Sequence, residues 1–239
     1  METGKTGKYF KYAIGEIVLV VIGILIALSI NNWNEDRKSK KMANEVYTNL
    51  LTSLEQDSIE AQRTNNLLTK SLETQKKLIL SKSDQFTKHL SQTDLNNIAQ
   101  EISSGVMSFF PKTGVYNLIT SNNSMDLLES SEIKSLLINL YDFQYKRYEN
   151  VDAIIDHKYH YQINSLIRKK IGFIIEYNSE SEAQMIKPVD LNLFNEYYEE
   201  LVSECRDVYG ILSTGNNYLF EIRTSINELL QMIRTELKK

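Results

Sequence analysis

His157 and His160 stand three residues apart in a stretch of helical periodicity, with Asp156 just ahead of them. That spacing turns two imidazoles toward one side of a helix, where they can share a metal ion if a third ligand arrives from elsewhere. Nothing in the sequence nominates the third ligand, so the pair reads first as two solvated or hydrogen-bonded histidines and only second as half a metal site. Cys205 is the one cysteine, which excludes an intramolecular disulfide and a zinc framework built on thiolates. Residues 4–8, GKTGK, contain the glycine and lysine of a phosphate loop. They lack its spacing, however, and lead into an apolar run instead of following a strand. No nucleophile-elbow pattern occurs. These residues assign no catalytic group and no cofactor, and the expectation is a protein that is not an enzyme.

Two other sets carry more weight. Tyr12, Glu16, Val20, Gly23, Ala27 and Asn31 follow one another at steps of three or four, so they share one helical stripe. Gly23 and Ala27 form a small-xxx-small pair, the spacing that lets two helix backbones approach closely in lipid. Glu16 is an ionisable group about one turn inside an apolar segment; it either reaches back to the headgroups or faces another helix. The second set is aromatic. Among fourteen tyrosines, Tyr141, Tyr145 and Tyr148 lie on one helical face. They suit either the seam between core and solvent, where a ring is buried and a phenol stays wet, or the wall of a groove for a peptide or glycan.

These residues need elements to position them. Residues 17–28 read IVLVVIGILIAL without one polar side chain, and 12–30 adds only Glu16 and Ser29. Tyr9, Phe10 and Tyr12 precede the run and Trp33 follows it, with lysines at 5, 8 and 11 and Arg37, Lys38, Lys40 and Lys41 outside the aromatics. A helix from Tyr12 to Trp33 rises roughly 32 Å, the thickness of a bilayer's hydrocarbon core. The run continues into INNWNEDRK, which has no small-residue cleavage site, so an uncleaved anchor is expected over a signal peptide. Counting Lys and Arg does not decide the orientation. A short basic tail (1–11) kept in the cytoplasm, a span (12–33) and an exported domain (34–239) is the arrangement expected.

With two prolines and nine glycines in 239 residues, long helices are expected beyond the span. The segment 34–80 extends the membrane helix, its apolar face interrupted at Asp57 and Asn65. Residues 81–93 read as loop, 94–102 as a short helix capped by Thr93, and 103–131 as packed loop with one helix near 114–120. Residues 132–175 read as a long helix, 178–184 (NSESEAQ) as a linker, and 191–212 and 216–237 as a helical hairpin broken near Gly215. The fold class is all-α: an N-terminal transmembrane helix followed by an antiparallel helical bundle. The net charge of −4, negative also beyond the span, argues against nucleic acid as a partner.

The stretch GKTGKYFKYAIGEIVLVVIGILIALSINNWNE (4–35) closely resembles the opening of a family of uncharacterised single-pass proteins from Bacteroidota, domain-of-unknown-function family 6090. FFPKTGVYNLITSNNSMDLL (109–128) and the closing EIRTSINELLQMIRTELKK extend the resemblance over most of the chain. It departs at Ser121-Asn122, where the family pattern has Ser-Gly; asparagine can replace a turn glycine because it tolerates positive φ. The resemblance implies an inner-membrane protein with a helical domain and imports no activity. The function expected is a membrane-anchored interaction or sensing module, with the lipid bilayer and a second copy or another membrane protein as partners. The alternative is an accessory subunit of a proton-driven motor or transporter that titrates Glu16.

Overall fold

A computed structural model of the chain describes residues 5–177 and 183–238, except the side chains of 5–13, 84, 177 and 183. The side chains of Tyr9, Phe10 and Tyr12, and residues 178–182 of the expected linker, lie outside the described residues.

Helix α1 (Lys5–Leu80) runs 76 residues without a break, roughly 114 Å at 1.5 Å per residue. No proline occurs in it, and no glycine lies between Gly23 and its end, so the backbone has no local reason to stop. Its surroundings change along its length. From Ile14 to Trp33 every side chain is exposed; from Ala43 onward one face is buried, through Tyr47, Leu50, Leu54, Ala61, Leu68, Leu72 and Leu78. Between the two parts is a bare helical stretch, where the Arg37 guanidinium sits 5.5 Å over the Trp33 ring. The far end of α1 is stopped by a tertiary contact. The Tyr198 phenol donates to the carbonyls of Leu78 (2.9 Å) and Ser81 (3.2 Å), groups a helix terminus leaves without partners.

The chain then returns toward the foot of the domain. The expected loop 81–93 contains a short helix, α2 (Ser83–Phe86). Helix α3 (Gln92–Ser103) starts earlier than its apolar pattern suggested, because Ser91 and not Thr93 is the cap: Ser91 and Asp94 close a capping box. A 3-10 turn (Ser104–Val106), α4 (Gly114–Ser121) and a second 3-10 turn (Ser124–Leu127) follow. The left-handed residue in this return is Asn123 (φ 59), one place beyond the expected Asn122, which has φ −106.

Helix α5 (131–171) is capped by the Ser130 hydroxyl and contains three π-helical segments, Asn139–Gln144, Tyr159–Ile163 and Ile167–Ile171. It ends at Ile171, short of the expected Ile175, because Gly172 takes φ +80 and turns the chain. The residues beyond form a feature the sequence reading did not contain: strands β1 (Ile174–Tyr177) and β2 (Ala183–Lys187) pair as an antiparallel hairpin. Asp190 caps the short α6 (Leu191–Glu196), and α7 (Tyr198–Glu236) completes the chain. The expected helical hairpin is therefore one continuous helix. Gly215 does not break it; it is buried where α5 comes close, and a Cβ there would lie 2.8 Å from Ile155 Cδ1.

The three long helices form the core. Tyr145 bonds Asp57 and Tyr159 bonds Ser71, both 88 residues apart, so α5 runs parallel to α1 at constant offset. Helix α7 runs antiparallel to both. Tyr198 meets Leu78, Asn216 meets Asn65 and Arg234 meets Glu55 along α1, while Lys170 meets Glu200 and Arg147 meets Glu221 along α5. The fold is all-α apart from the hairpin, with one long apolar N-terminal helix leading into the packed helices.

Gly105 marks the tightest approach. A Cβ there would fall 2.1 Å from the Tyr159 phenol oxygen and 2.9 Å from Ser71 Oγ, both on buried side chains. Gly105→Ala is expected to lower unfolding stability by about 2 kcal/mol through overpacking. Gly210→Ala, mid-helix with nothing within 4 Å, is expected to raise it by about 0.5–1 kcal/mol. Urea unfolding of the two variants checks both signs.

Candidate functional site

The histidines come together with an aromatic ring and no more. His157 and His160 are exposed, and both lie against Tyr161, with ring centroids 4.8 and 4.9 Å away. Among the described residues no three His, Cys, Asp or Glu side chains are grouped to hold a metal. Cys205 is fully buried, and burial pushes its thiol up to about 12, which leaves it a core residue and not a nucleophile.

Glu16, Gly23 and Ala27 lie in the exposed part of α1. A Cβ built on Gly23 meets nothing within 4 Å. The stripe is thus presented outward, and this chain folds none of its described elements against it.

Tyr141, Tyr145 and Tyr148 occupy successive turns of α5, all buried. The return segment crosses them with Phe109, whose ring meets Tyr145 and Tyr148 edge-on at 5.7 and 6.0 Å. Tyr116 from α4 stacks on Tyr141 at 4.3 Å with the rings 3° from parallel. The three tyrosines are packed core on one side and, with Phe110, Pro111 and Tyr116, line a cleft of about 460 Å³ on the other. Phe110 is 70% exposed at its mouth.

Three of the phenols here are committed to carboxylates, and the buried Tyr141 hydroxyl is not one of them. Tyr145 donates to Asp57 at 2.9 Å, Tyr148 to Asp152 at 3.1 Å and Tyr116 to Asp142 at 2.6 Å. Burial is the first cause that raises all three phenol pKa values, and the adjacent carboxylates raise them further. The aspartates divide by environment. Asp142 is held below the usual range by the Tyr116 phenol and then by Lys146. Asp57 and Asp152 are raised by desolvation, against the hydrogen bonds they accept. Phenols that donate and aspartates that accept make this cleft a rigid holding surface, aromatic within and acidic at the rim through Asp142, Glu149 and Asp152.

Asp57 is the residue whose importance sequence reasoning missed. It is fully buried, and its carboxylate also accepts the Lys112 backbone N–H at 2.9 Å. One side chain of α1 thereby fixes both the return segment and α5. The signal was present: Leu50, Leu54, Asp57 and Ala61 keep the core spacing, and a carboxylate on a core stripe requires partners.

Residues 16–181 match the model of a family described as a family of unknown function, DUF6090. The chain belongs to DUF6090. The match takes in the stripe from Glu16 onward, the return segment, α5 and every residue that lines the cleft, whereas α7 lies beyond it. Comparison with curated proteins and with solved structures finds no match to this DUF6090 chain.

Asp57→Ala strips a buried N–H and a buried phenol of their acceptor and is expected to cost about 3 kcal/mol. Asp57→Asn keeps an acceptor for Lys112 and can donate to Tyr145, so its cost is expected to stay below about 1 kcal/mol. Because the folded pKa of Asp57 is raised, the native state holds the proton more tightly than the unfolded chain. Stability of the wild type relative to Asp57→Asn is therefore greatest below the unfolded pKa and lost as pH climbs through the folded value. Denaturant melts of the pair from pH 4 to pH 8 measure this.

Proposed function

We propose that the chain is a membrane-anchored helical interaction or sensing module that acts through a membrane complex. The observation that carries this reading is the unbroken α1. The segment that is apolar on every side and the spine of the packed domain are one rod, so a displacement of the domain is transmitted to the span without an intervening hinge. The exposed apolar run, with a mean hydropathy of 2.5 over its strongest window, suits a lipid environment. Trp33 and the basic residues after it suit the interface.

The anchor belongs in a bacterial inner membrane, as the Bacteroidota resemblance implies, with residues 1–11 in the cytoplasm and the domain in the periplasm. The signal passes sideways, to a second copy or another membrane protein docked on Glu16, Gly23 and Ala27. Small residues there permit close backbone approach, and a partner would give Glu16 a protein surface in place of lipid.

Trp33 is the one tryptophan, so its fluorescence reports the anchor. In vesicles of brominated lipid it is expected to be strongly quenched relative to unbrominated lipid, and equal emission would remove the membrane reading. Association is tested by crosslinking in native membranes. Gly23→Leu combined with Ala27→Leu is expected to reduce crosslinked product at least tenfold, and an unchanged yield would count against the stripe. Glu16→Gln separates the readings: it leaves a packing contact largely intact but abolishes a proton-driven cycle.

A further inference from the structure

A second cleft lies on a different surface, where α1, the turn after α3, the end of α5 and the β1–β2 hairpin meet. Its volume is about 390 Å³, within the range of small-molecule sites. Leu67, Ile167 and Phe173 give it an apolar lining, and Ile167 and Phe173 are buried. Arg63 of α1 and Arg168 of α5 border it, both exposed. Neither has an ion pair or hydrogen bond among the described residues, whereas Arg147, Arg223 and Arg234 are each engaged. The nearby acid on α3, Glu101, is taken up by Thr74 at 2.6 Å and Lys70 at 3.0 Å.

Two guanidiniums without a partner among the described residues, on an acidic protein and set over an apolar pocket, are a charge pattern that folding does not require. Arg168 moreover sits in the π-helical segment Ile167–Ile171. Such segments are rare and concentrate at functional sites, because they re-aim side chains. Asn164 lines the same cleft, and its enclosed Oδ1 has no hydrogen-bond partner.

We infer that this cleft binds a small amphipathic anion, a hydrocarbon body with a carboxylate or phosphate head, the head held by Arg63 and Arg168 and the body by Leu67, Ile167 and Phe173. Guanidinium forks match either head bidentately. The ligand is a soluble molecule and not a lipid in the bilayer. Thirty residues of α1 separate Trp33 from Arg63, which places the cleft roughly 45 Å beyond the interface. The site supplies a ligand class for the sensing reading, yet its binding chemistry does not depend on association through the span.

The test uses the full chain in phosphatidylcholine nanodiscs, titrated calorimetrically with decanoate and with decyl phosphate, identical empty discs serving as reference. Saturable one-to-one binding above the empty discs is expected. Arg63→Gln and Arg168→Gln are each expected to weaken it roughly tenfold or more, with unfolding midpoints unchanged, and Arg63→Lys is expected to retain part of it. Decyltrimethylammonium, with the same tail and the opposite charge, is expected not to bind. Heat equal to that of empty discs, equal affinity for the cation, or indifference to both glutamine substitutions would overturn the site. Replacing a third of the lipid with phosphatidylglycerol is expected to leave decanoate affinity unchanged; competition would assign the site to bilayer lipid and overturn the soluble ligand.

Discussion

A helix that satisfies its own backbone hydrogen bonds can carry a fully exposed apolar run and a packed core face on one rod without changing conformation, and the rest of this protein depends on α1 doing so. Only the side-chain pattern has to change along the rod. Apolar residues surround it from Ile14 to Ile30, and from Ala43 they narrow to one face. Continuity of the helix then joins two problems that a flexible linker would separate. The axis of the packed domain is the axis of the apolar run, and the azimuth of every core residue is fixed relative to every residue in the apolar part.

The packed part of that rod is not a plain hydrophobic stripe. Ser53, Asp57, Thr64, Asn65, Ser71, Thr74 and Gln75 are buried on it, and most of them reach a specific partner far along the chain. Asp57 bonds Tyr145 and Lys112, Asn65 bonds Asn216 and Arg223, and Ser71 bonds Ile102 and Tyr159. Leucines alone tolerate a slip of one turn between parallel helices at modest cost. Buried donors and acceptors do not, since each mismatch strands a polar group. These keys set the constant offset between α1 and α5, and that offset places the tyrosines under Phe109 and opens the cleft beside them.

Long-period features were legible in the sequence and tertiary decisions were not. The apolar run follows from composition and the continuation of α1 from 3.6-residue spacing without a breaker, and α4 was found where it was expected. Boundaries set by contacts were missed: α1 ends at Leu80, where Tyr198 of α7 takes the flanking Leu78 and Ser81 carbonyls, which no local pattern encodes. Gly215 was read as a break because a lone helical glycine has two explanations, and only the position of Ile155 selects close approach. The β1–β2 hairpin was hidden because FIIEY extends the apolar pattern of α5, so that only the backbone sign at Gly172 separates them. At the candidate site, the face of Tyr141, Tyr145 and Tyr148 was legible, and Asp152 lies one turn beyond Tyr148 on the same helix, but the pairing of Tyr145 with Asp57 of α1 was not, because only the fold sets the two helices side by side.

The rigidity of α1 also fixes where a docked helix would lie. At about 100° per residue, the stripe of Glu16, Val20, Gly23, Ala27 and Asn31 and the core face of Ala43, Tyr47, Leu50 and Leu54 point roughly 170° apart around the axis. The small-residue stripe therefore faces nearly opposite to the side on which α5 and α7 pack. A helix docked on that stripe meets no bulk from this chain's own domain. Two copies joined through it would hold their domains outward, with α1 of each between its bundle and the common axis. In that geometry a change in how α5 seats on α1 alters the tilt or rotation of α1, and the Gly23–Ala27 contact is where such a change is felt first, because close-packed backbones have little slack.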